Sequence, residues 1–255
     1  MTRSSRIAEY GALAWVCLLF AGLAFVAPIA QPQDYHRFAD SRALSLGPIA
    51  LPHAADVLTS LAFVAAGLAG LPRCSRSMPA QYLPLTVFFT GLVLTGIGSV
   101  WYHLSPTDAS LVWDRLAMTI AFAGAVGSLG AERLGPAAGR RWFVGWQMTG
   151  LVAVVLWRLS GDLRLYLVTQ FGGLGVLLLW FRLPVAAGMV RLPWGWLLFA
   201  YGVAKAFELL DRLLWTLTDG LFSGHPVKHL IAALGILPML RVLSERRAGA
   251  RERRS

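Results

Sequence analysis

The chain has few charged side chains. Asp, Glu, Lys and Arg make up 14% of its 255 residues, whereas a soluble domain carries about 25%. Hydrophobic residues make up 56%, and the mean hydropathy is +0.60. A helix of about 20 apolar residues crosses a bilayer, and the sequence contains about eight runs of that kind. A soluble globular domain is therefore excluded, and an integral membrane protein is predicted.

Cysteine and acidic residues are also scarce. The two cysteines, Cys17 in the first apolar run and Cys74 in a short loop, provide neither a disulfide framework nor metal-ligand spacing. The net charge of +10 would suit a nucleic-acid partner. However, six arginines lie in the last fifteen residues and the others are scattered between apolar runs. We therefore predict no nucleic-acid binding, and we expect the basic tail to contact anionic lipid of the cytoplasmic leaflet.

The apolar runs predict an all-α, polytopic membrane helix bundle. Proline, glycine and charge cluster between the runs, as breakers do, and a backbone in lipid must satisfy its hydrogen bonds within each segment. The first run is predicted to be an uncleaved span, because its exit FVAPIAQP lacks a signal-peptide cleavage site. The predicted spans cover residues 10–30, 54–71, 82–103, 109–130, 142–157, 163–181, 194–217 and 225–243.

Arginine distribution predicts the orientation, because cytoplasmic loops are enriched in Lys and Arg. With a cytoplasmic N-terminus, fifteen arginines fall on the cytoplasmic side and four in outer loops. Both termini are therefore predicted to be cytoplasmic. The outer arginines are Arg37, Arg42, Arg158 and Arg164; the cytoplasmic ones are Arg3, Arg6, Arg73, Arg76, Arg133, Arg140, Arg141, Arg182, Arg191 and the six from Arg241 onward.

Ionisable residues inside membrane spans are costly and are candidates for function. Span three ends in GIGSVWYH, where Ser99 and His103 are four apart and share a helix face. Span eight opens with GHPVKH, where His225 and His229 have the spacing that lets two imidazoles reach one zinc ion. Asp114 lies about one turn into span four, after the tight turn SPTDAS. The predicted topology brings all five residues just under the outer face.

This set predicts a zinc hydrolase. Three neutral histidines with an open fourth position form a catalytic zinc site, and zinc makes water nucleophilic near neutral pH. Asp114 can accept the proton of that water, and Ser99 can donate a hydrogen bond to the developing oxyanion. Taken singly, an intramembrane histidine is an interhelical donor and a mid-helix serine bonds its own helix. His36 and His53 lie in the first outer loop and are interpreted as ordinary loop residues.

Further charges lie near this set. We predict a self-neutralised network in span seven, with Glu208 paired to Lys205 and to Arg212; a carboxylate orienting a metal-bound imidazole is the alternative. Lys228 is predicted to contact an outer-loop carboxylate or a lipid head group, and Arg115 to form a helix-packing salt bridge. The span-seven segment AKAFELLDR contains Lys205, Glu208, Asp211 and Arg212.

At GIGSVWYH, WDRLAM and GHPVKH the sequence resembles the alkaline ceramidase family, within a wider superfamily of seven-helix membrane hydrolases. The order of the motifs, their internal spacing and their positions at helix ends match, over about residues 34–243. The resemblance implies a zinc ion bound by His103, His225 and His229, with Asp114 handling the proton and Ser99 assisting at the oxyanion. It also implies that the substrate is ceramide, a sphingolipid, or a similar N-acyl lipid, which water cleaves to free base and fatty acid.

The resemblance implies a domain organisation as well. Residues 1–255 would form a single integral membrane domain. Spans two to eight, residues 54–243, would be the seven-helix catalytic core. Residues 1–31 would add an N-terminal helix, and residues 244–255 a basic cytoplasmic tail.

Two departures from the family pattern affect these expectations. Arg115 follows Asp114 where the animal enzymes have a second acid, which is more similar to the bacterial branch. Eukaryotic members also bind calcium through an acidic N-terminal stretch and a glutamate at the first core helix. Here that region offers Asp34, Asp40 and Asp56, too few for the several oxygen ligands of calcium, so calcium is a weak second candidate beside zinc.

Two non-enzymatic classes stay open at this point. One is a seven-helix receptor or sensor with a structural zinc ion, which would lack an open coordination position beside Asp114. The other is an ion or proton transporter that uses the span-seven charges as a relay and tolerates His225→Ala. Within the enzyme class, an N-acyl homoserine, an N-acyl amino lipid and a ceramide all present the same amide.

Overall fold

The chain folds into an all-α helical bundle, as predicted. The computed structural model describes residues 3–74 and 78–252. A short hairpin of β1 (Leu44–Leu46) and β2 (Ile49–Leu51) pairs antiparallel between the first two helices. The helices are α1 (Arg3–Gly22), α2 (Ala54–Gly70), α3 (Pro79–Leu104), α4 (Asp108–Leu134), α5 (Pro136–Ser160), α6 (Arg164–Trp180), α7 (Trp194–Leu209), α8 (Asp211–Leu217), α9 (Gly224–Leu234) and α10 (Leu237–Glu252).

The helices have the length and composition of a multi-pass membrane protein. Within the described parts of the chain, six segments are long and apolar enough to cross a bilayer, and α6 is a shorter apolar helix. Large apolar side chains such as Phe25 and Leu159, 89% and 78% exposed, cover the outside of the bundle, as lipid contact requires. The six segments are Arg3–Phe25, Ala54–Arg73, Pro79–Leu104, Asp108–Leu134, Pro136–Ser160 and Gly224–Ala248.

Several predicted span boundaries were wrong. The first helix begins at Arg3 and gives way to a 3-10 turn that ends at Phe25, before the proline of the exit sequence. The fifth begins at Pro136, because proline is well accommodated in the first turn of a helix. The last helix continues to Glu252, through most of the predicted tail. Arg76 and residues 253–255 lie outside the described residues.

The seventh and eighth predicted spans are each divided in two. The break between α7 and α8 falls at Leu210, where Asp211 accepts backbone hydrogen bonds from Ala39 and His225 and so fixes the chain. The break between α9 and α10 precedes Pro238, whose missing N–H cannot continue a helical ladder. Because of the break at Leu210, the prediction of one continuous helix over 194–217 was wrong.

Close packing of α3 on α4 positions the candidate site. A Cβ atom on Gly98 would lie 2.7 Å from the carbonyl oxygen of Trp113 and 3.0 Å from the Cα of Asp114. Only glycine permits this approach without displacement of one helix. The contact brings the end of α3, with Ser99 and His103, against the first turns of α4. We call this end of the bundle the histidine end.

Helix α1 packs on the outside of the bundle, against α5 and α6. The carboxylate of Glu9 accepts a hydrogen bond from Arg141 at 2.7 Å and a longer one from the indole of Trp142. The indole of Trp15 donates to the carbonyl of Gly172, and that of Trp180 to the carbonyl of Ala8. These bonds hold α1 along the outside of the bundle.

The segment that follows α1 folds over the histidine end. Asp162 accepts a hydrogen bond from the backbone of Ile29, and Arg164 donates to the carbonyl of Leu23. Hydrogen bonds from Arg164 also hold the pKa of the Asp162 carboxyl down at about 2, so this anchor stays ionised. At its other end the segment is held by the bond from Ala39 to Asp211. Between these anchors, Phe38 packs on the rings of His103 and His225.

Candidate metal centre

Three buried histidines meet at the histidine end. His103 lies next to the last residue of α3, and His225 and His229 lie in the first turns of α9. Each of the three residues offers a ligand atom within 4.8 Å of the other two, and the residues are 1%, 7% and 5% exposed. A single ion can be shared by three imidazoles at such short separations. The predicted group is confirmed as a buried site that could hold a metal ion.

The ring of His229 is oriented by a threonine. Its Nδ1 lies 3.1 Å from Oγ1 of Thr59, and that hydroxyl donates its own proton to the carbonyl of Ala55 at 2.7 Å. Since the hydroxyl proton is already used, Nδ1 of His229 acts as the donor. The other ring nitrogen, Nε2, is then left with a free lone pair for a metal. A metal-binding histidine commonly donates its second nitrogen in this way.

Asp56 lies behind His103. Its Oδ2 is 4.0 Å from Nδ1 of His103, the residue is 0% exposed, and neither carboxylate oxygen has a hydrogen-bond partner. From the sequence, Asp56 was expected only as a possible calcium ligand, and its relationship to His103 was not predicted. The sequence pattern could have placed Asp56 at the site, because it shares a face of α2 with Thr59 and Ser60, three and four residues on. Both of these residues contact the site.

Ser99 lies beside the histidines, and its hydroxyl is in a chain of hydrogen bonds. Its Oγ is 2.9 Å from Oγ of Ser60, which donates to the carbonyl of Asp56 at 2.7 Å. The proton of Ser99 is therefore directed toward Ser60. Donation to an oxyanion requires the hydroxyl to rotate about its Cβ–Oγ bond, which the single-bond geometry of serine allows.

Asp114 faces the same cavity as the histidines. The residue is partly exposed and lines the cavity; its carboxylate has no hydrogen bond or ion pair to another described residue. Its position follows from the contact of Gly98 with α4. Ser99, His103, Asp114, His225 and His229, which the sequence analysis singled out, all line this one cavity.

Comparisons with models of known protein families, with curated proteins and with solved structures gave no match.

The cavity is a deep pocket of about 470 Å³ with polar and apolar ends. The polar end contains the histidines and Asp114. The apolar end reaches Phe88, which lies about four turns before His103 in α3, or roughly 22 Å along the helix axis. Ala125 and Trp194 line this deep end as well. A pocket of this shape suits a ligand with a polar group and a long hydrocarbon chain.

Two predicted ion pairs near the cavity were wrong. Glu208 does accept from Lys205, as predicted, but its other oxygen accepts from Lys228 at 2.7 Å instead of from Arg212. The helix break at Leu210 removes the four-residue register between Glu208 and Arg212. Lys228 was expected to contact an outer-loop carboxylate or a lipid head group. It is directed into the bundle by the charge of Glu208.

The predicted salt bridge of Arg115 was also wrong. Its guanidinium donates to the side-chain oxygen of Gln31 at 2.5 Å, and it forms no ion pair with any carboxylate in the described parts of the chain. It lies instead against the rings of Trp157, Tyr166 and Tyr35, at 4.1, 4.7 and 5.7 Å from their centroids. The three rings come from the segment that follows α1, from α5 and from α6, and none of these neighbours is acidic.

The remaining candidates from the first outer loop lie outside the three-histidine group. His36 contacts the hydroxyl of Tyr102 at 2.9 Å and Asp108 at 3.0 Å. His53 packs edge-on against Phe38, whose ring is also 4.6 Å from the rings of His103 and His225. The calcium candidates are paired with arginines, Asp34 with Arg37 and Asp40 with Arg42.

Proposed function

We propose that the protein is a zinc-dependent intramembrane amidase that hydrolyses the N-acyl bond of ceramide or a similar N-acyl lipid to free base and fatty acid. The observation that carries the proposal is the position of three buried histidines and an unpaired Asp114 carboxylate at the polar end of a deep apolar cavity. Three imidazoles are the ligand set of catalytic zinc with an open position. The resemblance of the three motifs to alkaline ceramidases favours the same reaction.

The shape of the cavity supports a lipid substrate. An acyl chain of the substrate would lie in the apolar end, between residues such as Phe88 and Ala125. The amide would then lie beside the histidines, at the start of the polar end. A lipid can reach such a cavity from the bilayer, between helices. Gln170 of α6 and Tyr201 of α7, joined by a hydrogen bond of 3.1 Å, are part of the cavity wall.

The side chains suit amide hydrolysis with zinc bound. Zinc held by three imidazoles supplies the Lewis acidity that makes water nucleophilic near neutral pH. Asp114 would accept a proton from the attacking water and pass it to the leaving amine, as the C–O bond forms and the C–N bond breaks. Ser99 would turn its hydroxyl from Ser60 to the developing oxyanion. Both side chains line the cavity that would hold the amide.

We also propose that both termini are cytoplasmic and that the histidine end is near the outer face. The excess of arginine in the proposed cytoplasmic segments supports this orientation, as does the basic end of α10, which would meet anionic lipid. Reporter fusions at residue 255 and in the 105–107 turn test it. A cytoplasmic signal from the turn would contradict the proposal.

Metal analysis together with a substrate panel tests the reaction. Purified protein in a nonionic detergent is expected to contain about one zinc ion per chain, and His225→Ala and His229→Ala are expected to lose both zinc and turnover. His36→Ala is the matched control, because this histidine contacts Tyr102 and Asp108 instead of the group; it should keep its zinc. Release of fatty acid from ceramides and other N-acyl lipids is measured by mass spectrometry.

The same experiment separates the alternatives. Unchanged zinc content in both histidine variants would exclude the metal site. Bound zinc without hydrolysis of any lipid would favour a receptor or sensor with a structural metal. Retained transport of an ion in His225→Ala would favour a transporter that uses the charges at Lys205, Glu208 and Lys228.

A further inference from the structure

Arg115 carries a buried positive charge that forms no ion pair with a carboxylate in the described parts of the chain. The residue is 6% exposed, and its Nη1 has no hydrogen-bond partner among the described residues. Its known contacts are the neutral oxygen of Gln31 and three aromatic rings. Burial of a charge is costly unless it is paired and hydrogen-bonded. A guanidinium in this state is therefore suited to an anion that comes from outside the chain.

The position of Arg115 relates that anion to the candidate metal centre. Arg115 lines the same cavity as the three histidines, and it follows Asp114 directly in α4. Adjacent residues have Cα atoms about 3.8 Å apart, so the two side chains can serve neighbouring parts of one ligand. Gln31 and the aromatic rings restrain the guanidinium, which presents planar donors that match the two oxygens of a carboxylate.

The other cations of the cavity are already neutralised in part. Lys205 and Lys228 both donate to Glu208, so the charge of Glu208 is shared between them. With Asp114 and Arg115 included, the five charged side chains that line the cavity have a formal net charge of +1. A divalent metal at the histidines would raise the positive charge further. The cavity therefore favours an anionic ligand over a neutral one.

We propose that Arg115 binds a carboxylate in the head group of the substrate, so that the preferred substrate is an N-acyl amino acid lipid. In such a lipid one carbon atom separates the amide nitrogen from the carboxyl group. The acyl chain would occupy the apolar end of the cavity, the amide would lie beside the histidines and Asp114, and the carboxylate would reach Arg115. This inference depends on the proposed function for the reaction, but the anion site itself can be tested without turnover.

Binding of a matched pair of ligands tests the anion site. The probes are a ketone analogue of N-hexadecanoylglycine, in which CH₂ replaces the amide nitrogen, and its methyl ester; neither contains a cleavable amide. Zinc-loaded protein in nonionic detergent is titrated with each by calorimetry. The acid is expected to bind at least about tenfold more tightly than the ester, as a charge-assisted hydrogen bond provides. Arg115→Met should remove that difference, and Arg115→Lys should keep part of it.

Several results would overturn the assignment. Equal affinity for acid and ester in the unaltered protein would do so without any variant. A preference that survives in Arg115→Met would mean that the metal binds the carboxylate. Loss of the preference in Lys228→Met, but not in Arg115→Met, would assign the anion to Lys228. Tighter binding of an analogue with a phosphate in place of the carboxylate would exclude an amino acid head group.

Turnover measurements distinguish a failure of the anion site from a failure of the proposed amidase reaction. With N-hexadecanoylglycine and its methyl ester as substrates, the acid is expected to have at least about a tenfold higher kcat/KM in the unaltered protein. Arg115→Met should lower kcat/KM for the acid by a larger factor than for the ester, so that the preference for the acid is lost. A binding preference for the acid without hydrolysis of either lipid would overturn the reaction and support the anion site. Efficient cleavage of the amide bond in the methyl ester, but not in the acid, would support the reaction and overturn the anion site.

Discussion

Oδ2 of Asp56 lies 4.0 Å from Nδ1 of His103, and both side chains are almost completely buried. At this separation the two atoms are too far apart for a hydrogen bond. Neither Asp56 oxygen has a hydrogen-bond partner among the described residues. A carboxylate behind a metal-bound imidazole fixes the ring and raises its basicity. If the histidines bind a metal, we expect Asp56 to influence it through His103.

Replacement of Asp56 is expected to weaken metal binding. Asp56→Ala should lower zinc affinity by about 10- to 100-fold, the usual effect of losing such a partner, and Asp56→Asn by less. Competition with a chelator measures the affinity. Asp108→Asn is the control, since Asp108 contacts His36 and should leave zinc affinity unchanged. Equal affinity in Asp56→Ala and the unaltered protein would assign Asp56 a structural role only.

A methyl group at Gly98 should separate metal binding from turnover. Gly98→Ala places a Cβ against Trp113 and the Cα of Asp114, so α3 and α4 must move apart, which shifts Asp114 relative to the histidines. We expect a loss of about 100-fold in kcat, because a displacement near 1 Å can have that effect, with zinc content retained. Gly202→Ala is the control, since nothing lies within 4 Å of its added Cβ. Full activity in Gly98→Ala would contradict the role of Asp114.

A larger side chain at the deep end of the cavity should shorten the accepted acyl chain. Ala125 is 4% exposed and lines the apolar end, so Ala125→Leu fills space that a long chain would use. Turnover of N-acyl lipids with about sixteen carbons should fall, and that of lipids with about eight should persist, since one lost methylene contact contributes about 0.8 kcal/mol. Val155→Leu, on the outside of α5, is the control. A parallel fall for both chain lengths would argue against this location of the acyl chain.

Asp211 is expected to matter for stability more than for chemistry. Its two oxygens accept from the backbone of His225 and of Ala39, so Asp211→Ala leaves two donors unpaired. Each lost bond costs about 1 kcal/mol or more when the donor is buried, and Tm should fall by several degrees. Asp34→Ala removes an exposed ion pair with Arg37 and should leave Tm nearly unchanged. An unaltered Tm in Asp211→Ala would show that the helix break does not depend on this carboxylate.

Local sequence patterns predicted the parts of the site that lie on single helices. Four-residue spacing identified Ser99 with His103 and His225 with His229, because such residues share a helix face. The same rule failed for Glu208 and Arg212, since the helix ends between them. The partners of Arg115, Lys228 and Asp56 could not be predicted. Each partner belongs to a different element of the chain from the residue that it contacts. Charge alone does not specify which element will pack against that residue.

The three histidines come from two helices that are more than a hundred residues apart in the sequence. An ion bound by His103 on one side and by His225 and His229 on the other would act as a cross-link that closes a long loop of the chain. Binding to the folded state alone stabilises a protein by mass action, and a metal site of this kind couples to folding. Removal of the ion with a chelator should therefore lower Tm as well as abolish turnover. If added zinc then restored activity, this would indicate that the ion is bound again and that the link between α3 and α9 has formed again.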